Sequence, residues 1–150
     1  MNEWFKNIKF AAILWATLSY AIISTVIHQI ESIFTMGYYK MPEYFGVWSK
    51  LMISDEGAPK PIFFVLSMIF ALITGFILAS TYFFIKDHLS QGYWRKVLSF
   101  TLLLSVISLA TFTLPSILLF NVPILMMFYW FLSGVTIFFF CSMAFVKIIG

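Results

Sequence analysis

IHQIESIFTMGYYKMPEYFGVWSKLM, Ile27–Met52, is where the chain leaves an apolar run through His28, Gln29 and Glu31 and enters a crowd of aromatic residues. Where the first helix stops, and what the aromatics do after it, decides how the chain is threaded. The sequence on either side is of one kind. Of its 150 residues, 62% are hydrophobic, 21% aromatic and only 10% charged, with a mean hydropathy of +0.99. A water-soluble domain of this length does not sustain such a composition. The class is therefore an all-α membrane protein, with residues 1–150 forming a single integral domain.

Outward from that stretch, four runs reach the roughly 20 residues that cross about 30 Å of hydrocarbon: Phe10–Ile30, Ile62–Ile85, Val97–Leu119 and Val122–Ile149. Backbone groups in lipid have no water to bond, so each run must be helical despite its β-branched and aromatic content. The expectation is a four-transmembrane-helix bundle. The opening MNEWFKNIK followed by an apolar run has the look of a secretory signal, but no small-x-small cleavage site follows Ala21, so a retained first helix is expected.

Basic residues give the orientation. Lys6, Lys9, Lys86, Arg95, Lys96 and Lys147 fall on one side of this threading, which the positive-inside rule assigns to the cytoplasm. The other side carries Lys40, Lys50 and Lys60 offset by Glu31, Glu43, Asp55 and Glu56, together with the uncharged turn around Leu114–Pro123. Both termini are expected to be cytoplasmic, in a plasma (inner) membrane. A formal charge of +3, scattered along the chain, gives no footprint for nucleic acid. The single Cys141 excludes an intrachain disulfide and thiol chemistry based on a cysteine pair.

In the quoted stretch, Met41, Phe45, Trp48 and Leu51 or Met52 recur at helical spacing. Pro42 suits a first turn, Glu43 the positive helix end and Lys50 the negative one, which predicts a short interfacial helix over about 41–52 between helices one and two. Tyr38, Tyr44, Phe45 and Trp48 are then either an aromatic belt at headgroup depth or a lid over the end of helix one. The run YYKMPEYFGVWSKLM, Tyr38–Met52, resembles the stretch after the first helix in the DUF1761 family of small four-helix membrane proteins. That resemblance implies the architecture and no activity.

Polar residues within the spans must face protein or water, because an ionised group in hydrocarbon costs on the order of 2–3 kcal/mol. His28 and Glu31 share a helix face that Ser24 and Tyr20 extend downward, forming a candidate polar site. The pair would supply two metal ligands, yet zinc needs at least three from protein. The other histidine, His88, lies in the connection on the opposite side, so neither a metal nor another cofactor is expected. Ser67, Ala71, Gly75 and Ala79 line one face of helix two as a small-residue contact stripe, and Ser133 with Gly134 offers a second close approach in helix four. Thr101, Ser105, Ser108 and Thr111 form a hydroxyl stripe on helix three whose members can bond the carbonyl one turn back.

With no phosphate loop, nucleophile motif or cofactor fingerprint, the expected function is non-enzymatic. It is either a small-solute or ion pathway built by association of several copies or an accessory subunit. The expected partners are the lipid bilayer and further copies of the chain, as a homo-oligomer. The alternative is a membrane-embedded enzyme acting on a lipid or other apolar substrate, with Glu31 and His28 as acid and base.

Overall fold

The computed structural model describes residues 10–48, 52 and 59–150. Four helices long and apolar enough to cross a membrane account for most of them. These are α1 (Phe10–Tyr39), α2 (Pro61–Ile85), α3 (Tyr93–Leu119) and α4 (Ile124–Ile149). No strand occurs among the described residues.

The helix bounds depart from the hydropathy reading most at α1, which runs to Tyr39 and not to Ile30. His28, Gln29 and Glu31 end the apolar run but contain no helix breaker, so the helix carries on. It stops where Pro42 disfavours helical backbone at the residue before it, and the last turn tightens as Lys40 N–H donates to the Gly37 carbonyl and Met41 N–H to that of Tyr38, both at 3.3 Å. At 1.5 Å per residue, α1 is about 45 Å long, some ten residues more than the hydrocarbon requires. Its last turns, from Glu31 onward, continue past the apolar run. α2 begins at Pro61, which fits a first helical turn. α3 starts at Tyr93, a turn earlier than Val97, after Gly92 at φ 97°, a conformation that favours glycine. α4 starts at Ile124, just past Pro123.

Between α1 and α2 the described residues form a 3-10 helix, Pro42–Val47, in place of the longer amphipathic helix expected over 41–52. Positions 49–51 lie outside the described residues. α3 is interrupted by a π-helical turn, Leu109–Thr113, in which Leu114 N–H donates to the Leu109 carbonyl five residues back. Pro115 explains it: the residue has no N–H to give and its ring crowds the preceding turn, so the ladder widens there instead of breaking.

α1 packs along both α2 and α4, and α4 along α3, while α2 meets α4 only sparsely. One end of the bundle is filled by aromatics from α2, α3 and α4. Tyr82 of α2 lies edge-on to Phe100 of α3 at 5.2 Å, and both rings reach Phe145 of α4, at 6.2 and 6.3 Å. All three side chains are fully buried. The same end is tied by Lys86 Nζ, which donates to the Ile149 carbonyl at 3.1 Å and so satisfies an orphan acceptor at the end of α4. Arg95, Lys96 and Lys147 stand at this end too.

α1 and α2 approach most closely at Gly75. A Cβ there would lie 2.9 Å from the Thr17 carbonyl oxygen and 3.0 Å from Tyr20 Cβ. Of the four stripe residues, Gly75 and Ala79 are buried, Ala71 is half-buried and Ser67 is exposed, its hydroxyl turned back to the Phe63 carbonyl. Above the close approach the helices part around an apolar groove of about 350 Å³ lined by Leu18, Ala21, Ile22, Thr25, Val26, Met68 and Leu72. Gly134 is no close-approach point, since nothing lies within 4 Å of a Cβ built on it.

Candidate functional site

The polar chemistry of the bundle concentrates at the end opposite the aromatic plug. Glu31, Thr35 and Tyr39 stand at i, i+4 and i+8 on α1, and so form one row along the helix. Glu31 has a side chain only 10% exposed, and its Oε1 is buried without a hydrogen-bond partner among the described residues. His28 lies beside it, Nδ1 to Oε2 at 3.9 Å, but is 60% exposed. At that distance the contact is an ion pair only when His28 is protonated, and it is too long for a hydrogen bond. Thr35, fully buried, donates to the Glu31 backbone carbonyl at 3.2 Å.

Tyr39 joins three parts of the chain. Its hydroxyl accepts a hydrogen bond from Trp130 Nε1 of α4 at 3.3 Å. Tyr39 stands one turn along α1 from Thr35 and two from Glu31. Its ring meets that of Trp48 at 4.8 Å, and Trp48 in turn meets Trp130 edge-on at 6.1 Å. The chain after α1 therefore folds back, so that Trp48 closes over the junction of α1 and α4. Trp48 Nε1 is buried and, like Glu31 Oε1, has no partner among the described residues. One orphan is an acceptor and the other a donor.

The remaining sequence-derived candidates are more dispersed. Ser24 is buried lower on α1 and spends its hydroxyl on the Ala21 carbonyl at 3.2 Å. Tyr20 is buried in the core cluster with Ile13, Ala16 and Ala79, against Gly75. Neither joins the Glu31 group by a described contact. Of the lid residues, Trp48 alone reaches the group by a described ring contact. Tyr38 is half-buried. Tyr44 is engaged with its neighbour, the hydrogen bond to the Glu43 carboxylate raising the phenol above its ordinary range. The Phe45 side chain lies outside the described residues. His88 is exposed at the other end of the bundle. Among the described residues no three histidine, cysteine, aspartate or glutamate side chains converge as a metal site.

Composition and local spacing did not single out Thr35, Tyr39 or Trp130. Thr35 and Tyr39 continue the Glu31 register, a signal legible once α1 is extended past Ile30. Trp130 lies 91 positions from Tyr39, and nothing local marks it. The hydroxyl stripe of α3 divides: Thr101 donates across to Ser142 of α4 at 3.1 Å with both buried, whereas Ser105 and Thr111 bond carbonyls one turn back.

Fold and site together define a small four-span helical membrane protein with one polar group of residues at the end of its first span. No protein-family model matches the chain, and no curated protein sequence or solved structure is significantly similar to it.

Proposed function

We propose that the protein is a non-enzymatic component of the plasma (inner) membrane that binds a small solute or ion at its outer end, as a pathway formed between copies or as an accessory subunit. The observation that carries this reading is Glu31: a carboxylate nine-tenths buried, with one oxygen unpartnered among the described residues, two turns along α1 from the clustered rings of Tyr39, Trp48 and Trp130. A buried charge is costly unless it is neutralised or paired. A side chain held in that state at the mouth of a span is suited to taking up a cation, a proton or a donor from solution.

The basic residues Lys86, Arg95, Lys96 and Lys147 gather at the opposite end, which supports placing that end and both termini in the cytoplasm. The Tyr38–Trp48 segment then lies on the outer surface, with Pro42–Val47 at the interface. Its likeness to the DUF1761 family belongs to this reading as a matter of architecture. Within one chain, Tyr82, Phe100 and Phe145 fill the inner half, which favours association of copies over a route through a single bundle.

The test is Glu31→Gln, which keeps the shape and removes the charge. Loss of solute binding or flux in liposomes with an unchanged melting temperature supports the reading. A lowered melting temperature with unchanged binding or flux assigns Glu31 to structure alone.

A further inference from the structure

Among the described residues three buried side-chain atoms lack a hydrogen-bond partner, the Tyr82 hydroxyl in the aromatic plug and, at the other end, Glu31 Oε1 and Trp48 Nε1. The latter two carry information about the ligand itself, an inference that rests on the outer-end site just proposed. Among the described residues Glu31 Oε1 is an acceptor with no donor, and Trp48 Nε1–H a donor with no acceptor. Leaving either group buried and unmade costs about 1–3 kcal/mol, more for a charged one. They do not serve each other; the Trp48 ring meets that of Tyr39 at 4.8 Å, and Glu31 stands two turns before Tyr39 in the same row of α1. Along α1 from Glu31 stand the rings of Tyr39, Trp48 and Trp130, with Trp48 inclined at 53° to Tyr39 and at 72° to Trp130. Rings set at such angles present faces as well as edges, and an aromatic face attracts an ammonium group through its quadrupole, alkylated ammonium included. The carboxylate adds the full countercharge that the rings lack.

We propose that Glu31, Trp48, Tyr39 and Trp130 form a binding site for a zwitterion that carries an ammonium group and an anionic oxygen a few bonds apart, of the phosphoethanolamine or phosphocholine kind. The ammonium neutralises Glu31 against the rings, and the phosphate oxygen accepts the Trp48 N–H. A simple metal cation would meet the carboxylate but leave the indole donor unmade; a simple anion would do the reverse and face Glu31 as a like charge. The zwitterion answers both at once. The position at the mouth of a membrane span admits two sources of this chemistry, the headgroup of a zwitterionic lipid in the outer leaflet or a free solute.

Isothermal titration calorimetry on the full chain, in a maltoside detergent that carries neither amine nor phosphate, is the test. Phosphoethanolamine is titrated in one arm. In the other, the protein is reconstituted in nanodiscs of phosphatidylglycerol with or without phosphatidylethanolamine, and co-purified lipid is counted by mass spectrometry. Saturable binding in the first arm identifies a free solute, and selective retention of phosphatidylethanolamine in the second identifies a lipid. Glu31→Gln and Trp48→Phe, the latter keeping a ring while deleting the N–H, should each weaken binding by about tenfold or more, as loss of a hydrogen bond to a charged group implies. Trp94→Phe, at the opposite end, should leave it unchanged. The proposal is overturned if neither zwitterion binds, or if binding survives both Glu31→Gln and Trp48→Phe. Should neither zwitterion bind while Glu31→Gln still abolishes flux of another solute, the ligand class falls and the site stands.

Discussion

Trp130 Nε1 donates to the Tyr39 hydroxyl at 3.3 Å and thereby fastens the far end of α1 to the first turns of α4. Tyr39→Phe leaves the indole donor without its acceptor in a half-buried setting, at a cost of about 1–2 kcal/mol. Trp130→Phe deletes the donor and leaves Tyr39 its Thr35 neighbour, so the loss through hydrogen bonding should be smaller. Thermal unfolding of both single variants and the double variant in detergent checks this. The double variant should lose less than the sum of the singles, since the two residues share one bond.

How much of this was legible beforehand differs from one residue to the next. The four spans follow from hydropathy alone, because lipid leaves the backbone no alternative to a helix. The end of α1 does not, since hydropathy reports where apolar side chains stop and not where helical backbone stops. His28, Gln29 and Glu31 ended the first without ending the second. Gly75 and Gly134 look alike in sequence, both glycines among small or apolar neighbours, yet Gly75 meets the α1 backbone and Gly134 meets nothing. Which helix lies opposite is a tertiary fact. The same holds for Trp130, whose role depends on α4 lying beside α1.

That contrast makes a paired prediction. Gly75→Ala should destabilise by about 1–3 kcal/mol, as overpacking does, because its Cβ falls 2.9 Å from the backbone oxygen of Thr17 and backbone cannot swing aside. Gly134→Ala has open space and an ordinary helical conformation, so it should be neutral or stabilise by up to about 1 kcal/mol. Melting temperatures of the two variants side by side check the pair. Equal effects would show that the α1–α2 contact is looser than the described one.

Thr101 and Ser142 form a hydrogen bond between the hydroxyls of α3 and α4. Such bonds in membrane helices average about 0.6 kcal/mol, so Thr101→Ser should be nearly silent and Ser142→Ala should cost a few tenths of a kcal/mol up to about 1. A double-mutant cycle with Thr101→Val and Ser142→Ala, read by unfolding in mixed micelles, should return a coupling of that size. No coupling would mean that each hydroxyl satisfies itself on its own helix.

Topology is read with single cysteines in a Cys141→Ser background. Ser90 and Asn121 are exposed at opposite ends of the bundle. A cysteine at Asn121 should react with an impermeant maleimide added outside intact cells, and one at Ser90 only after the membrane is opened. The reverse pattern inverts the threading and places Glu31 on the cytoplasmic side.

The central claim is that Glu31 is a carboxyl withdrawn from water yet left chemically available, and carbodiimide labelling addresses it most directly. The apolar reagent dicyclohexylcarbodiimide partitions into apolar surroundings, adds to a carboxyl group it meets there and, where water and amines are kept away, rearranges to a stable acylurea, which peptide mass spectrometry locates. The account predicts modification at Glu31 well ahead of the exposed Glu43, reversal of that order with a water-soluble carbodiimide, and no adduct on that peptide in Glu31→Gln. Glu31 left unmodified by the apolar reagent, or modified no faster than Glu43, would contradict it.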